Sequence, residues 1–220
     1  SSSAAAGPSA GQPFASIFPV GAFSQTAVGF GAAGAADVRA GALAPVRMAL
    51  TLNRAILAGE EVRVALPGFS SATIGPLSIA QSGGAAFEAT WIAGNESLLL
   101  TAGANVGADT VLTVTVAASN GLRLPSGGVT ANDTAITIST NAAAGPSDPT
   151  AVLETEGVAA VSGHTLDLAG AAATVASNMT LSFTLSSPLS PGDTVSLLLP
   201  SFTGENSSSL AMATTSGGAD

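Results

Sequence analysis

His164 is the one histidine of the chain, and Asp167 and many serines lie near it, so a Ser-His-Asp relay is the first chemistry to weigh. The local period speaks against it. In an extended segment His164, Leu166 and Leu168 share one face while Asp167 points to the other. No GxSxG elbow is present to hold a nucleophile. Glu60 and Glu61 are adjacent, so they alternate faces and cannot form a facing carboxylate pair for glycoside hydrolysis. A calcium loop gathers several oxygen ligands, and no DxDxD cluster stands near Glu60 or Asp193, which read as solvated turn acids. The glycine-rich stretch Gly29 to Ala36 lacks the GK[ST] ending of a phosphate loop. Trp91 shares parity with Phe87 and Ala89, which makes it a core residue rather than a sugar-stacking platform. The threonines Thr113, Thr115 and Thr137 are good strand residues rather than an ice-binding array. These residues predict neither an enzyme nor a bound cofactor.

One chemical motif does recur. Asn-x-Ser/Thr occurs at Asn95, Asn132, Asn178 and Asn206, taking half of the eight asparagines. Such sequons accept N-linked glycans when they lie at the surface. Asn95 follows Gly94 at a turn, and Asn178 has the outward parity opposite Met179, Leu181, Phe183 and Leu185. The four sites are expected to be N-glycosylated. Glycans would keep soluble a chain in which only 9% of residues are charged, against a usual ~25%.

Composition narrows the function classes further. Fourteen acids oppose five arginines (Arg39, Arg47, Arg54, Arg63 and Arg123), for a net charge of −9. No basic surface for nucleic acid can be assembled from these. With no cysteine there is neither a disulfide framework nor a thiolate metal site. No apolar run approaches the ~20 residues of a membrane-spanning helix. The apolar fraction of 46% is ample for a packed core.

The elements that must position these residues are strands. Val46, Met48, Leu50 and Leu52 alternate with Arg47, Ala49, Thr51 and Asn53, and the same period of two runs through 62–66, 112–116 and 135–139. Further strands are expected near 26–30, 76–80, 86–92 and 96–101. Val62, Val64, Leu66, Trp91, Val114 and Ile136 are the predicted core. The fold class is all-β, an antiparallel sandwich of short strands.

The chain also repeats itself. A shift of 133 positions lays Leu50 on Phe183, Leu52 on Leu185, Gly59 on Gly192 and Val62, Val64 and Leu66 on Val195, Leu197 and Leu199. The run Leu66-Pro67-x-Phe69 falls on Leu199-Pro200-x-Phe202. The words AAAGPS at Ala4–Ser9 and Ala142–Ser147 punctuate the copies, and small residues with Gly and Pro suit linkers. The expected organisation is a linker at 1–13, a first module at 14–140, a linker at 141–149 and a second, partial module at 150–220. Ser190-Pro191-Gly192-Asp193 fits a type II turn, and Leu57-Ala58-Gly59-Glu60 keeps its glycine.

The repeated Pro-Gly-Asp-x-Val-x-Leu-x-Leu-Pro-x-Phe, in a lysine-free setting rich in Ala, Gly and Ser, resembles the tandem Ig-like β-sandwich modules of secreted, glycosylated surface and filament proteins of algae and other protists. The resemblance covers 46–84 and 179–217. Ala58 departs from the pattern where the second copy has the turn proline. The motif is structural, so it implies no active site; it implies an extracellular location and a role as a filament or coat subunit, with a cell-surface adhesin or carbohydrate-binding ectodomain as the alternative. The expected partner is a second copy, head to tail. An apolar face on a partial second module is expected to recruit a strand from a neighbour, the donor being the segment of Phe14, Ile17, Phe18 and Val20, interrupted by Pro19. No nucleic acid and no membrane span are expected.

Overall fold

The computed structural model describes residues 3–4, 7–8, 20–32, 38–73, 75–83, 86–169, 178–186 and 194–200. The chain is all-β, with nothing longer than a single 3-10 turn of helix among the described residues. It divides into two units, Ser1–Pro188 and Leu189–Asp220.

The larger unit is built from strands β1 (Phe23–Phe30), β2 (Val46–Leu52), β3 (Glu61–Ala65), β4 (Pro76–Leu77), β5 (Ile79–Gln81), β6 (Phe87–Ile92), β7 (Ser97–Ala102), β8 (Leu112–Val116), β9 (Thr137–Thr140), β10 (Ser147–Ala151), β11 (Glu154–Thr155), β12 (Val161–Ala169) and β13 (Asn178–Leu185). One sheet has the order β10-β9-β3-β7-β6-β4, and a second has the order β11-β1-β2-β8-β5. The period of two predicted the strands because each presents one face to a common core. Val62 and Val64 of β3 are buried and Arg63 between them is exposed. Leu98 lies opposite both Val64 and Trp91, and Val114 opposite Met48, so the inward rows of neighbouring strands coincide. All six predicted core residues are buried, Trp91 and Ile136 included. Phe30 and Phe69 stack within this core with ring centroids 5.6 Å apart.

The turn between β2 and β3 forms as its residues require. The Glu60 N–H donates to Leu57 O at 3.0 Å, and Gly59 has φ of 87°, a conformation open to glycine but strained for other residues.

The stretch expected to be a linker and the start of another module closes this two-sheet body. Ala142 is fully buried, and β10 pairs antiparallel with β9. The chain then crosses to the other sheet, where β11 runs parallel to β1 with Glu154 opposite Ala27 and Thr155 opposite Val28. This is a departure from a purely antiparallel sandwich. Val152, Thr155, Val158 and Ala160 are buried along the way, and Val158 exchanges two backbone hydrogen bonds with Val129. Small residues at 142–147 serve close packing here. Gly21 and Gly145 lie so near each other that a Cβ on Gly21 would meet the Gly145 carbonyl.

After this crossing, β12 and β13 form a separate two-stranded antiparallel hairpin. Away from an irregularity in each, its register reproduces that of β1 and β2. Leu166 faces Leu181 as Val28 faces Met48, Leu168 faces Met179 as Phe30 faces Val46, and Val161 faces Leu185 as Phe23 faces Leu52. Both hairpins carry an irregularity near the same end, between Phe23 and Gln25 in one and between Ser162 and Thr165 in the other. The second strand follows the 133-position shift; the first follows the 138-position offset that lays Ala4 on Ala142, so the connection within the second hairpin is five residues shorter.

In the unit Leu189–Asp220, residues 194–200 carry no strand. Their expected counterpart β3 is held between β7 and β9, and no such partners flank 194–200 among the described residues. Val195 and Leu197 are exposed there.

Candidate functional site

The residues expected to carry sugar occupy exposed positions wherever the structure describes them. Asn95 closes the 3-10 turn Ala93–Asn95 between β6 and β7. With its amide set so that the oxygen meets Arg63 Nη1 at 2.9 Å, the nitrogen faces Ile92 O and Ser97 Oγ. A glycan there would replace one of the two amide hydrogens that face Ile92 O and Ser97 Oγ. Asn132 has φ of 56°, a left-handed conformation that asparagine adopts more readily than most residues. Its Oδ1 accepts from the Thr155 N–H at 3.3 Å, and the residue is exposed. Asn178 is exposed at the first position of β13. Asn206 lies outside the described residues.

Among the described residues the acids and the histidine stand apart from one another or in structural contacts. His164 and Asp167 are both exposed on β12, His164 within the irregularity between Ser162 and Thr165 and Asp167 beyond it, paired with Thr180. Glu60 has a structural occupation. Its Oε2 accepts from the Leu57 N–H and its Oε1 from the Ala143 N–H, both at 2.7 Å, so one carboxylate ties the β2–β3 turn to the closing segment. The Asn141 side chain accepts from the Glu61 N–H at 2.7 Å beside it. Among the described residues no group of three His, Cys, Asp or Glu side chains stands close enough to hold a metal ion. The one indole is enclosed, so it offers no sugar-stacking surface. No helix of the described residues is long and apolar enough to cross a membrane.

The closing segment forms a polar lock that sequence reasoning missed. Arg47 on β2 meets Glu156 at 2.9 Å, its Nε donates to Gly31 O, and the Phe30 N–H donates to Glu156 Oε2 at 2.8 Å. The available signal was the placement of a lone arginine on an otherwise small-residue strand face. The outer face between these groups is a shallow hollow floored by Ala27, Gly29 and Ala49.

The apolar face expected to seek a partner is present on the second hairpin. Leu166, Met179 and Phe183 are about two-fifths exposed, at 40%, 43% and 36%, whereas Val28, Val46 and Leu50 at the matching places of the first hairpin are at most 3% exposed. Of the four expected assembly residues, Phe14, Ile17 and Phe18 lie outside the described residues, and Val20 is 72% exposed. The 138-position offset pairs these four with Val152, Thr155, Glu156 and Val158, the very residues that close the two-sheet body. No family model, curated protein or solved structure matches this chain.

Proposed function

We propose that this protein is a structural subunit of a glycosylated extracellular filament or coat, made of tandem Ig-like β-sandwich modules that share strands. The single observation that carries the reading is the duplicated hairpin. β12–β13 keeps the register of β1–β2, yet its inner face is open where that of β1–β2 is covered. Covering the exposed two-fifths of each large apolar side chain is worth roughly 0.6–1.3 kcal/mol, that share of the ~1.5–3 kcal/mol for full burial, so the face favours a partner. Strand sharing has a precedent inside the chain, since 147–155 adds a strand to each sheet of the body that precedes it. A repeated unit that is completed by the start of the next unit propagates without closing, which is the geometry of a fibre. Exposed sequons at Asn95, Asn132 and Asn178 fit glycan attachment and a secreted location.

Sedimentation velocity over a range of concentrations tests the polymer. The chain is expected to form a ladder of growing species, and Phe183→Asp to reduce it to monomer. A monodisperse monomer of the unsubstituted chain at every concentration would overturn the reading.

A further inference from the structure

We propose that residues 14–20 of a second copy add as a parallel strand to the free edge of β12, with Ser16 opposite Thr165 and Ile17 opposite Leu166. This rests on the filament reading and specifies its contact. β11 lies against β1 with Glu154 opposite Ala27 and Thr155 opposite Val28. The 138-position offset turns Glu154 and Thr155 into Ser16 and Ile17 when run backward, and Ala27 and Val28 into Thr165 and Leu166 when run forward. The donor and acceptor are therefore the two repeat equivalents of a contact already formed in this chain. Among the described residues β12 pairs on one side only, with β13. Val20 is 72% exposed, whereas its equivalent Val158, within the closed body, is 3% exposed.

The side chains beside the contact choose the partner. In the closed body Glu156 is matched by Arg47. At the proposed contact its equivalent is Phe18 and the arginine's equivalent is Thr180, so both charges are lost together. The equivalent of Gly29 is Asp167, which would repel a carboxylate at the Phe18 position. The segment with Glu156 thus suits β1, and the segment with Phe18 suits β12. A chain that keeps 147–158 on its own first body presents 14–20 to the next chain, head to tail.

The natural absence of cysteine makes disulfide trapping clean. Chains of residues 1–220 carrying Ser16→Cys and Thr165→Cys are mixed, oxidised and run without reductant. Paired strand residues lie within the ~4.4–6.8 Å Cα window of a disulfide. A crossed dimer is expected, and it should fall to background with Ser162→Cys, displaced by about 10 Å along the strand. Phe18→Glu in the Ser16→Cys chain should abolish the crossed dimer, and Thr180→Arg in the Thr165→Cys chain should restore it. Ala27→Cys with Glu154→Cys in one chain is the internal control and should close within the monomer. Polymers without the crossed dimer, while the control closes, would overturn this contact and leave the filament reading standing. Monomers alone would overturn both. A monomeric disulfide in a Ser16→Cys/Thr165→Cys double variant would show the segment folding back on its own chain and would also overturn the proposal.

Discussion

Replacing Val152 and Val158 by alanine tests whether the segment after β9 is part of the first body. Both side chains are almost wholly enclosed, at 4% and 3% exposed, between β9, β1 and Val129. Each change removes two methyl groups, worth about 1.6 kcal/mol at ~0.8 kcal/mol per group, and leaves a cavity that adds a further ~1 kcal/mol. The pair should lower stability by about 4–6 kcal/mol, a large share of the 5–15 kcal/mol typical of a domain. Trp91 is the only tryptophan and lies on β6 of the same body, so its fluorescence during urea unfolding reports that body alone. Leu153, 60% exposed between the two valines, serves as the control, and Leu153→Ala should move the midpoint by less than ~0.5 kcal/mol. A Trp91 transition unmoved by the double variant would show that 141–160 is a free linker, and the account of how the body closes would be wrong.

Gly21→Ala should destabilise the body by roughly 1–3 kcal/mol in the same urea experiment, because its Cβ would press on the Gly145 backbone. Gly59→Ala should lower the unfolding midpoint by about 1–2 kcal/mol through its φ of 87°, with no change at Gly94, where a Cβ meets nothing. Glu60→Gln keeps the shape but weakens two charge-assisted bonds, to Leu57 and Ala143, and hydrogen exchange at those two amides should quicken while that of Leu98 stays slow. Single Asn→Gln changes at Asn95, Asn132, Asn178 and Asn206 of the protein made in its native source should each remove one glycan from the intact mass; four unchanged masses would refute the glycoprotein reading.

Strand positions were readable because alternation and burial describe the same constraint: Val46, Met48, Leu50 and Leu52 face inward where their spacing put them. The core position of Trp91 followed from parity with Phe87 in the same way. The role of 141–160 was hidden because small residues with Gly and Pro are ambiguous. They suit a flexible linker, and they equally suit a tight turn where Gly145 packs on Gly21. The parallel pairing of β11 was also invisible, since two residues carry no period, and Glu154 and Thr155 look like loop composition. The Arg47–Glu156 contact joins residues 109 apart and depends on that same crossing. The repeat was legible from Leu50 onward by one shift; its first strand needed a second offset, because the hairpin connection differs in length, and only the paired registers make the two offsets agree.

Electron microscopy of the unfixed protein from its native source decides whether it polymerises. Unbranched filaments are expected, with an axial spacing that repeats with the two-sheet body and density that joins successive bodies by a shared strand. Discrete single particles of one chain, each with the β12–β13 face covered by its own residues, would contradict it.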